Sequence, residues 1–230
     1  MGFSNDAMLR SIEQASFTQT TNSSIPYKYA GLMGRAEFVW DNKYVVNGIW
    51  RRDGSSRFAP GSRFGNFGSV GMAWIASDER WLKKMLSPVV SYFKIFANTG
   101  TAGNDGGGDY QYLSQWSRAY LINYDGKSPM VSEHAVNQDY HWQLTRELTA
   151  GMELRLLKKG SLMVTAQYYR RRVGNQLLHN PTPYMTGFSS VFGNWDATVQ
   201  NSGWEFSLNA TFIETNNFRW TGSVNAGVVR

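Results

Sequence analysis

The sequence predicts an all-β chain: an antiparallel transmembrane β-barrel segment of about eight up-and-down strands, open as a fragment, with one short periplasmic helix. Three observations carry that prediction. Apolar and polar residues alternate over stretches of a length that suits a tilted crossing of about 9–11 residues. Short and long connections alternate along the chain, and aromatic residues gather beside the short ones. Side chains of a strand point to opposite faces in turn, so each stretch has one oily side and one wet side.

Residues 1–27 read as an extracellular loop with a short helix, capped by Asn5 or Asp6 ahead of Ala7, Met8, Leu9 and Ile12. The polar tract Thr18 to Ser24 then runs to Pro26. Residues 28–230 read as a partial transmembrane barrel with short periplasmic turns and long extracellular loops. Its strands fall at roughly 28–40, 43–52, 67–76, 89–99, 142–157, 161–173, 197–213 and 218–230. In the first, Leu32, Gly34, Ala36, Phe38 and Trp40 oppose Met33, Arg35, Glu37 and Val39. In the second, Tyr44, Val46, Gly48 and Trp50 oppose Val45, Asn47, Ile49 and Arg51. Ala150, Met152, Leu154 and Leu156 oppose Thr149, Gly151, Glu153 and Arg155. Trp204, Phe206, Leu208, Ala210 and Phe212 oppose Gly203, Glu205, Ser207, Asn209 and Thr211, and the last strand sets Val224 and Val228 against Asn225 and Val229.

Asp41-Asn42, Lys158-Lys159-Gly160 and Glu214 to Asn217 are tight connections. The other connection on that side, 77–88, reads as one helix: Ser77 caps it, Asp78 and Glu79 fill the first turn, Lys83 and Lys84 the last, and Pro88 stops it. The opposite connections, 53–66, 100–141 and 174–196, are long. Trp40, Tyr44, Trp81, Phe218 and Trp220 sit near the tight side, where a headgroup layer favours amphipathic rings.

Composition limits the alternatives. The 230 residues carry 15% aromatics, a net charge of +6 and no cysteine, which excludes disulfides and thiolate metal sites. No apolar run approaches the roughly 20 residues of a membrane helix, a test that a barrel escapes because only alternate residues meet lipid. Basic residues are scattered, which argues against nucleic acid as a partner. Met1-Gly2-Phe3-Ser4-Asn5-Asp6 lacks the basic start and apolar core of a signal peptide, so the chain is cytoplasmic, already processed or a piece of something longer.

Few constellations carry chemistry. Asn104-Asp105-Gly106-Gly107-Gly108-Asp109 offers oxygen ligands for Ca²⁺ but lacks EF-hand spacing and its terminal Glu, which favours a turn. Arg170-Arg171-Arg172 at the outer end of a strand suits lipopolysaccharide phosphates or plain solvation. His134, His141 and His179 have no metal-binding spacing, and no nucleophile–His–acid set announces itself. The sequence thus singles out no catalytic, cofactor-binding or metal residues and needs no cofactor. The pairs Arg35/Glu37 and Glu153/Arg155 face the wet side and either tune the lumen, touch a domain plugging it, or neutralise charge across strands within the wall.

The run Lys43-Tyr44 followed by Arg51-Arg52-Asp53-Gly54-Ser55-Ser56-Arg57-Phe58 resembles the signature of SusC/RagA-type TonB-dependent outer-membrane transporters. The resemblance continues through Phe67-Gly68-Ser69-Val70, Ala73-Trp74, Lys94 to Gly100 and Gly103-Asn104. It resumes at Asn137 to Trp142, Gly151, Tyr168-Tyr169, Leu177-Leu178 and Thr186-Gly187-Phe188, and closes with Asn194, Asn201-Ser202-Gly203-Trp204-Glu205 and Trp220. Gly68 stands where the family usually has Pro, Gln143 where it has Glu, and Asn175 or Gln176 where Asp is common.

The resemblance implies a slice from the C-terminal half of a barrel of about 22 strands, with the N-terminal plug and the TonB-contacting segment missing. It implies transport rather than an enzyme, the outer membrane of a Gram-negative, Bacteroidetes-like bacterium, and import of oligomeric nutrients, glycan or peptide. The implied partners are a SusD-like surface lipoprotein, the TonB complex through the missing plug, and outer-membrane lipid and lipopolysaccharide. Tyr110, Tyr112, Trp116, Tyr120, Tyr124 and Trp195 in the long loops suit stacking on sugars, gripping peptides or packing on each other, so the substrate-binding residues stay unnamed. Two rival classes are a small outer-membrane barrel enzyme and a soluble β-rich carbohydrate-binding module. The second requires the Trp204/Phe206/Leu208/Phe212 face to be buried.

Overall fold

The computed structural model describes residues 24–86, 89–119, 125, 127–157 and 161–230. In chain order the strands are β1 (Tyr29–Trp40), β2 (Tyr44–Ser55), β3 (Phe64–Ile75), β4 (Val90–Asn104), β5 (Trp116–Arg118), β6 (Met130–Ser132), β7 (Gln143–Leu156), β8 (Leu162–Gly174), β9 (Gln176–Pro181), β10 (Ser190–Trp195), β11 (Val199–Glu214) and β12 (Arg219–Val229). A helix, α1 (Arg80–Leu86), lies between β3 and β4. The long strands form one 8-stranded sheet in the order β1-β2-β3-β4-β7-β8-β11-β12, an antiparallel meander in which each strand pairs with the next along the chain. The sheet is open, with β1 and β12 at its edges.

Register follows from side-chain alternation, and it sorts the two faces cleanly. Residues directly opposite one another share a face. Phe38 pairs with Val46, Val46 with Met72, Met72 with Ala97, Ala97 with Ala150, Ala150 with Tyr168, Tyr168 with Trp204 and Trp204 with Val228. That row crosses all eight long strands without a charged residue. The neighbouring row on the other face runs Glu37, Asn47, Gly71, Asn98, Thr149, Tyr169 and Gly203.

Nothing covers the apolar face among the described residues. Trp50, Phe206 and Val224 are 48%, 45% and 64% exposed, while Trp74 is half-buried near the tight turns. Neither a helix nor a second sheet packs on this face, so the burial that a soluble carbohydrate-binding module requires is not met. The tight-turn aromatics Trp40, Tyr44, Trp81, Phe218 and Trp220 are all exposed, with Trp40 beside Tyr44 (ring centroids 5.8 Å) and Phe212 beside Trp220 (5.0 Å).

The first hairpin closes as its sequence predicts. Asp41 and Asn42 both adopt positive φ, near 51° and 52°, a region that Asp and Asn tolerate better than most residues. The helix expectation needs correction. Ala76–Asp78 form a 3-10 turn, and the α-helix begins only at Arg80. The Ser77 hydroxyl is buried with no partner, so it caps nothing, and no acidic residue lies in the first helical turn. The reason is geometric: the chain must first turn out of β3, and Glu79 is held back to the strands. Its carboxylate accepts the Tyr44 hydroxyl (2.7 Å) and faces the Lys43 ammonium, which together hold it below the usual carboxylate range.

The long loops also hold more structure than their sequences announce. β5 pairs with β6 and β9 with β10, each as a separate two-stranded ribbon. β3 starts three residues earlier than expected and β4 runs to Asn104, so the wall extends further toward the loops. The expected helix after Asn5 or Asp6, Pro88, the turn at Lys158-Lys159-Gly160, and Tyr120 and Tyr124 lie outside the described residues.

Candidate functional site

The long connections meet on the polar face at one end of the sheet, and the Arg51–Phe58 run is what fastens them there. Arg51 and Asp53 are two apart on β2 and so share the polar face. The Arg51 Nε donates to Asp53, whose carboxylate oxygens lie 2.6 and 2.7 Å away, and its Nη2 donates to the Tyr29 hydroxyl at 2.6 Å. Asp53 is buried, and a Cβ at Gly31 would stand 2.7 Å from its Oδ1, so the absence of a side chain at Gly31 makes the room. Ser56 Oγ accepts the Lys28 backbone N–H at 2.9 Å, and the Ser56 N–H donates to the Lys28 carbonyl at the same distance.

Arg57 reaches further. Its Nε donates to Asp109 Oδ1 at 2.7 Å, its Nη1 to the Asp105 carbonyl at 3.0 Å, and its guanidinium lies 4.6 Å from the centre of the Tyr27 ring. The Tyr27 hydroxyl donates to Asp105 Oδ2 at 2.7 Å. Burial first, then the Asp105 carboxylate, raises the Tyr27 hydroxyl above its ordinary pKa. The Asn104–Asp109 segment is therefore the acidic half of a latch. Its carboxylates serve Arg57 and Tyr27, and Asn104 Oδ1 accepts the Gly106 N–H at 2.8 Å. Among the described residues no cluster of three or more His, Cys, Asp or Glu is placed to hold a metal.

Next to the latch, Phe58 turns inward and seeds an aromatic nest. Phe58 and Tyr140 are fully buried, and Phe67 and Trp142 nearly so. Ring centroids stand 4.9 Å apart for Phe58–Tyr140, 5.0 Å for Phe58–Trp142 and 5.4 Å for Phe67–Trp142, with Phe192 edge-on to Tyr140 at 5.7 Å. Phe67 lies over Gly65 and Gly103; a Cβ on either would collide with its ring. Those glycines are required by close approach. The Tyr140 hydroxyl is buried without a hydrogen-bond partner, and burial pushes its pKa up to about 12.

Two asparagines tie the β9–β10 ribbon to the same nest. Asn194 Oδ1 accepts the His141 N–H at 2.9 Å while its Nδ2 donates to the carbonyls of His141 (2.8 Å) and Asn175 (3.1 Å). Asn137 Nδ2 donates to the Phe192 carbonyl at 3.1 Å. The side-chain amide of Asn194 thereby replaces one rung of a strand pair.

Among the described aromatic candidates of the loops, Tyr110 and Tyr112 meet, while Trp116 and Trp195 make no ring–ring contact with them. Tyr110 packs on Tyr112 (6.3 Å) and donates to the Pro26 carbonyl, Trp116 is exposed on β5, and Trp195 is exposed at the end of β10. His134 Nδ1 lies 3.1 Å from the Ala135 carbonyl, His141 Nδ1 contacts the Asp139 carbonyl, and His179 lies edge-on to Phe192 (4.9 Å). The residues that matter here, Arg57, Asp105, Asp109 and Tyr140, each stand inside a quoted run. The signal that unites them is charge complementarity between two loops 48 or more residues apart in sequence. Along the polar face of the wall several charges resolve internally: Arg35 with Glu37 (2.7 Å), and Lys94 (3.4 Å) and Arg155 (3.1 Å) with Glu153.

No protein-family model matches the chain. TonB-dependent receptor P39 of Formosa agariphila is 28% identical over 226 residues, which is 97% of this chain and 21% of that protein. TonB-dependent receptor SusC of Bacteroides thetaiotaomicron is 29% identical over 230 residues, 96% of this chain and 21% of its own length. The solved RagAB peptide importer in its 'closed-closed' state aligns over 100% of this chain and 25% of that chain, with a TM-score of 0.81 at 25% identity. The chain thus spans about a fifth of the length of the curated relatives it matches. These relatives are receptors and importers, not enzymes. Read together, the motifs, the register and the relatives show a chain that is similar to a stretch of β-barrel wall of the SusC/RagA-type TonB-dependent receptors.

Proposed function

We propose that the chain forms part of the barrel of an outer-membrane TonB-dependent active transporter that imports oligomeric nutrients, peptide or glycan, in a Gram-negative, Bacteroidetes-like bacterium. The observation that carries this reading is the uncovered apolar face running across eight strands opposite a face of ion pairs and amides. In water such a face is exposed at a cost of about 25 cal/mol per Å². In a bilayer the same residues are at home, and the polar face lines an aqueous interior. An open edge inside lipid leaves backbone groups unpaired at several kcal/mol each, so the strands work as one arc of a closed barrel.

In this reading the tight turns and α1 face the periplasm and the long loops face outward, with residues 1–27 an outer loop. The Arg57 latch and the aromatic nest hold those loops as a fixed rim. The RagAB importer supports peptide as one cargo class and a two-component assembly, with a SusD-like lipoprotein over the rim and the TonB complex acting through a plug supplied from outside this chain.

The test uses the full-length protein in outer membranes, with single cysteines at Val46 or Leu208 on the apolar face and at Asn47 or Ser207 on the polar face. A lipid-soluble maleimide should label the first pair, a water-soluble one the second, and an impermeant reagent should reach Trp116 and Trp195 replaced by Cys from outside the cell. Equal labelling of both faces from water would sink the reading. Loss of peptide or glycan uptake when the full-length gene is deleted would assign the cargo.

A further inference from the structure

We propose that Arg146, Arg170 and Arg172 form a site for the phosphate groups of outer-leaflet glycolipid on the bilayer-facing side of the wall. The inference rests on the membrane orientation proposed above. Strand alternation splits the Arg170–Arg172 run. Arg171 points to the polar face, where its Nε and Nη2 lie 3.0 and 2.9 Å from Glu147 Oε2. Arg170 and Arg172 point to the other face, the one that carries Tyr168 and Trp204.

On that face Arg146 of β7 stands directly opposite Arg172 of β8. Like charges in direct cross-strand register repel, and among the described residues neither these two nor Arg170 makes an ion pair. Arg172 donates Nε to Gln200 Oε1 at 2.6 Å, which fixes its guanidinium plane and leaves its terminal nitrogens free to donate. Arg146 and Arg172 line a concavity together with Leu144, Gly174, Asn175 and Thr198.

The surroundings say which anion fits. Two residues toward the tight turns on the same face lie Tyr168 and Trp204, with rings 5.4 Å apart, and Phe206 stacks on Trp204 at 6.2 Å. An aromatic band with arginines just beyond it, on the long-loop side, is the order expected where hydrocarbon gives way to headgroups. Guanidinium groups bind phosphate in a bidentate fork, and three of them without a carboxylate suit an anion that the protein itself does not supply.

The experiment uses full-length protein in a maltoside detergent, with purified lipopolysaccharide, its dephosphorylated form and inorganic phosphate as probes. R146Q/R172Q should weaken lipopolysaccharide binding by about tenfold or more, the loss of at least one charge-assisted fork. R146K/R172K should recover part of it, R171Q should stay within about twofold of wild type, and the dephosphorylated lipid should bind wild type no better than lipopolysaccharide binds R146Q/R172Q. Wild-type affinity in R146Q/R172Q, equal binding of the dephosphorylated lipid, displacement by millimolar inorganic phosphate, or an equal loss in R171Q would each overturn the proposal. Heat-shifted gel mobility of each variant reports whether its barrel is intact. If surface labelling puts the long loops outside and R146Q/R172Q binds normally, the phosphate site fails and the transporter reading stands. If labelling puts them inside, that reading fails first.

Discussion

Phe58 is 0% exposed and Phe38 is 66% exposed, yet both are aromatic residues flanked by β-structure in the same half of the chain. Phe58 lies in a nest built by the protein's own rings, closed by the Arg57 latch and by Asn194. Phe38 lies on a wall that no other described residue covers. The difference teaches where each region gets its solvent. The loop end supplies its own interior, whereas the wall, in the proposed function, is one side of an interface whose other side is lipid. Stability at the loop end is therefore a property of this chain's contacts, and on that proposal stability of the wall belongs to the whole barrel in its bilayer.

The sharpest way to break that comparison is at the nest. Phe58→Ala in the full-length protein removes a buried ring from a packed site, a change that costs about 3–5 kcal/mol. Hydrogen exchange should show residues 105–119 and 132–142 losing protection while β7 and β8 keep theirs. If the wall strands open as well, the two regions are not separable. Next in size is Leu208→Arg, which puts a charge on the lipid side of β11 and should cost about 2–4 kcal/mol in unfolding from vesicles if it sits near the midplane. Ser207→Arg, one residue away on the polar face, should cost well under half of that. Equal costs would mean that the two faces see the same solvent.

The latch comes third. Arg57 and Asp109 are about one-quarter exposed, at 24% and 28%, so the pair is screened but not freely solvated. Arg57→Gln or Asp109→Asn should lower the stability of the loop rim by about 1–2 kcal/mol, between an exposed pair and a buried charged hydrogen bond. Limited proteolysis between Asn104 and Ser114 reads the effect. The double variant should cost less than the sum of the singles, since each single change also strands its partner.

The wall was far more legible in sequence than the rim, and the reason is physical. Alternation repeats every two residues along one strand, so Trp204, Phe206 and Leu208 declare their shared face from a few neighbouring letters. The Asp41-Asn42 turn is equally local, because positive φ selects those residue types. The rim depends on contacts between distant segments. Arg57 meets Asp109 across 52 positions and Asn137 meets Phe192 across 55, distances at which no periodicity survives. The runs that carry these residues stand out as family motifs, but their role as staples appears only once the loops are folded together. Ser77 misled for a related reason: a cap signature is local, whereas the turn out of β3 that displaces the helix start is not.

The smallest effect at neutral pH tests whether the nest is dry. The Tyr140 hydroxyl has no partner, so Tyr140→Phe removes an unsatisfied polar atom and should change rim stability by less than about 1 kcal/mol at pH 7. The pH dependence should change more. Burial raises the folded pKa to about 12, while an opened rim frees a phenol that ionises near 10. The closed rim thus binds the proton more tightly, and its stability is full below pH 10, falls as pH rises from about 10 to 12, and levels off above that. Other tyrosines ionise in the same range, so the informative quantity is the difference between wild type and Tyr140→Phe in tyrosinate absorbance and in rim protection. A wild-type rim that loses stability across that window, beside a variant that loses less, places Tyr140 in a water-free interior. Identical profiles would mean that water reaches the hydroxyl and that the rim is solvated like the lumen beneath it.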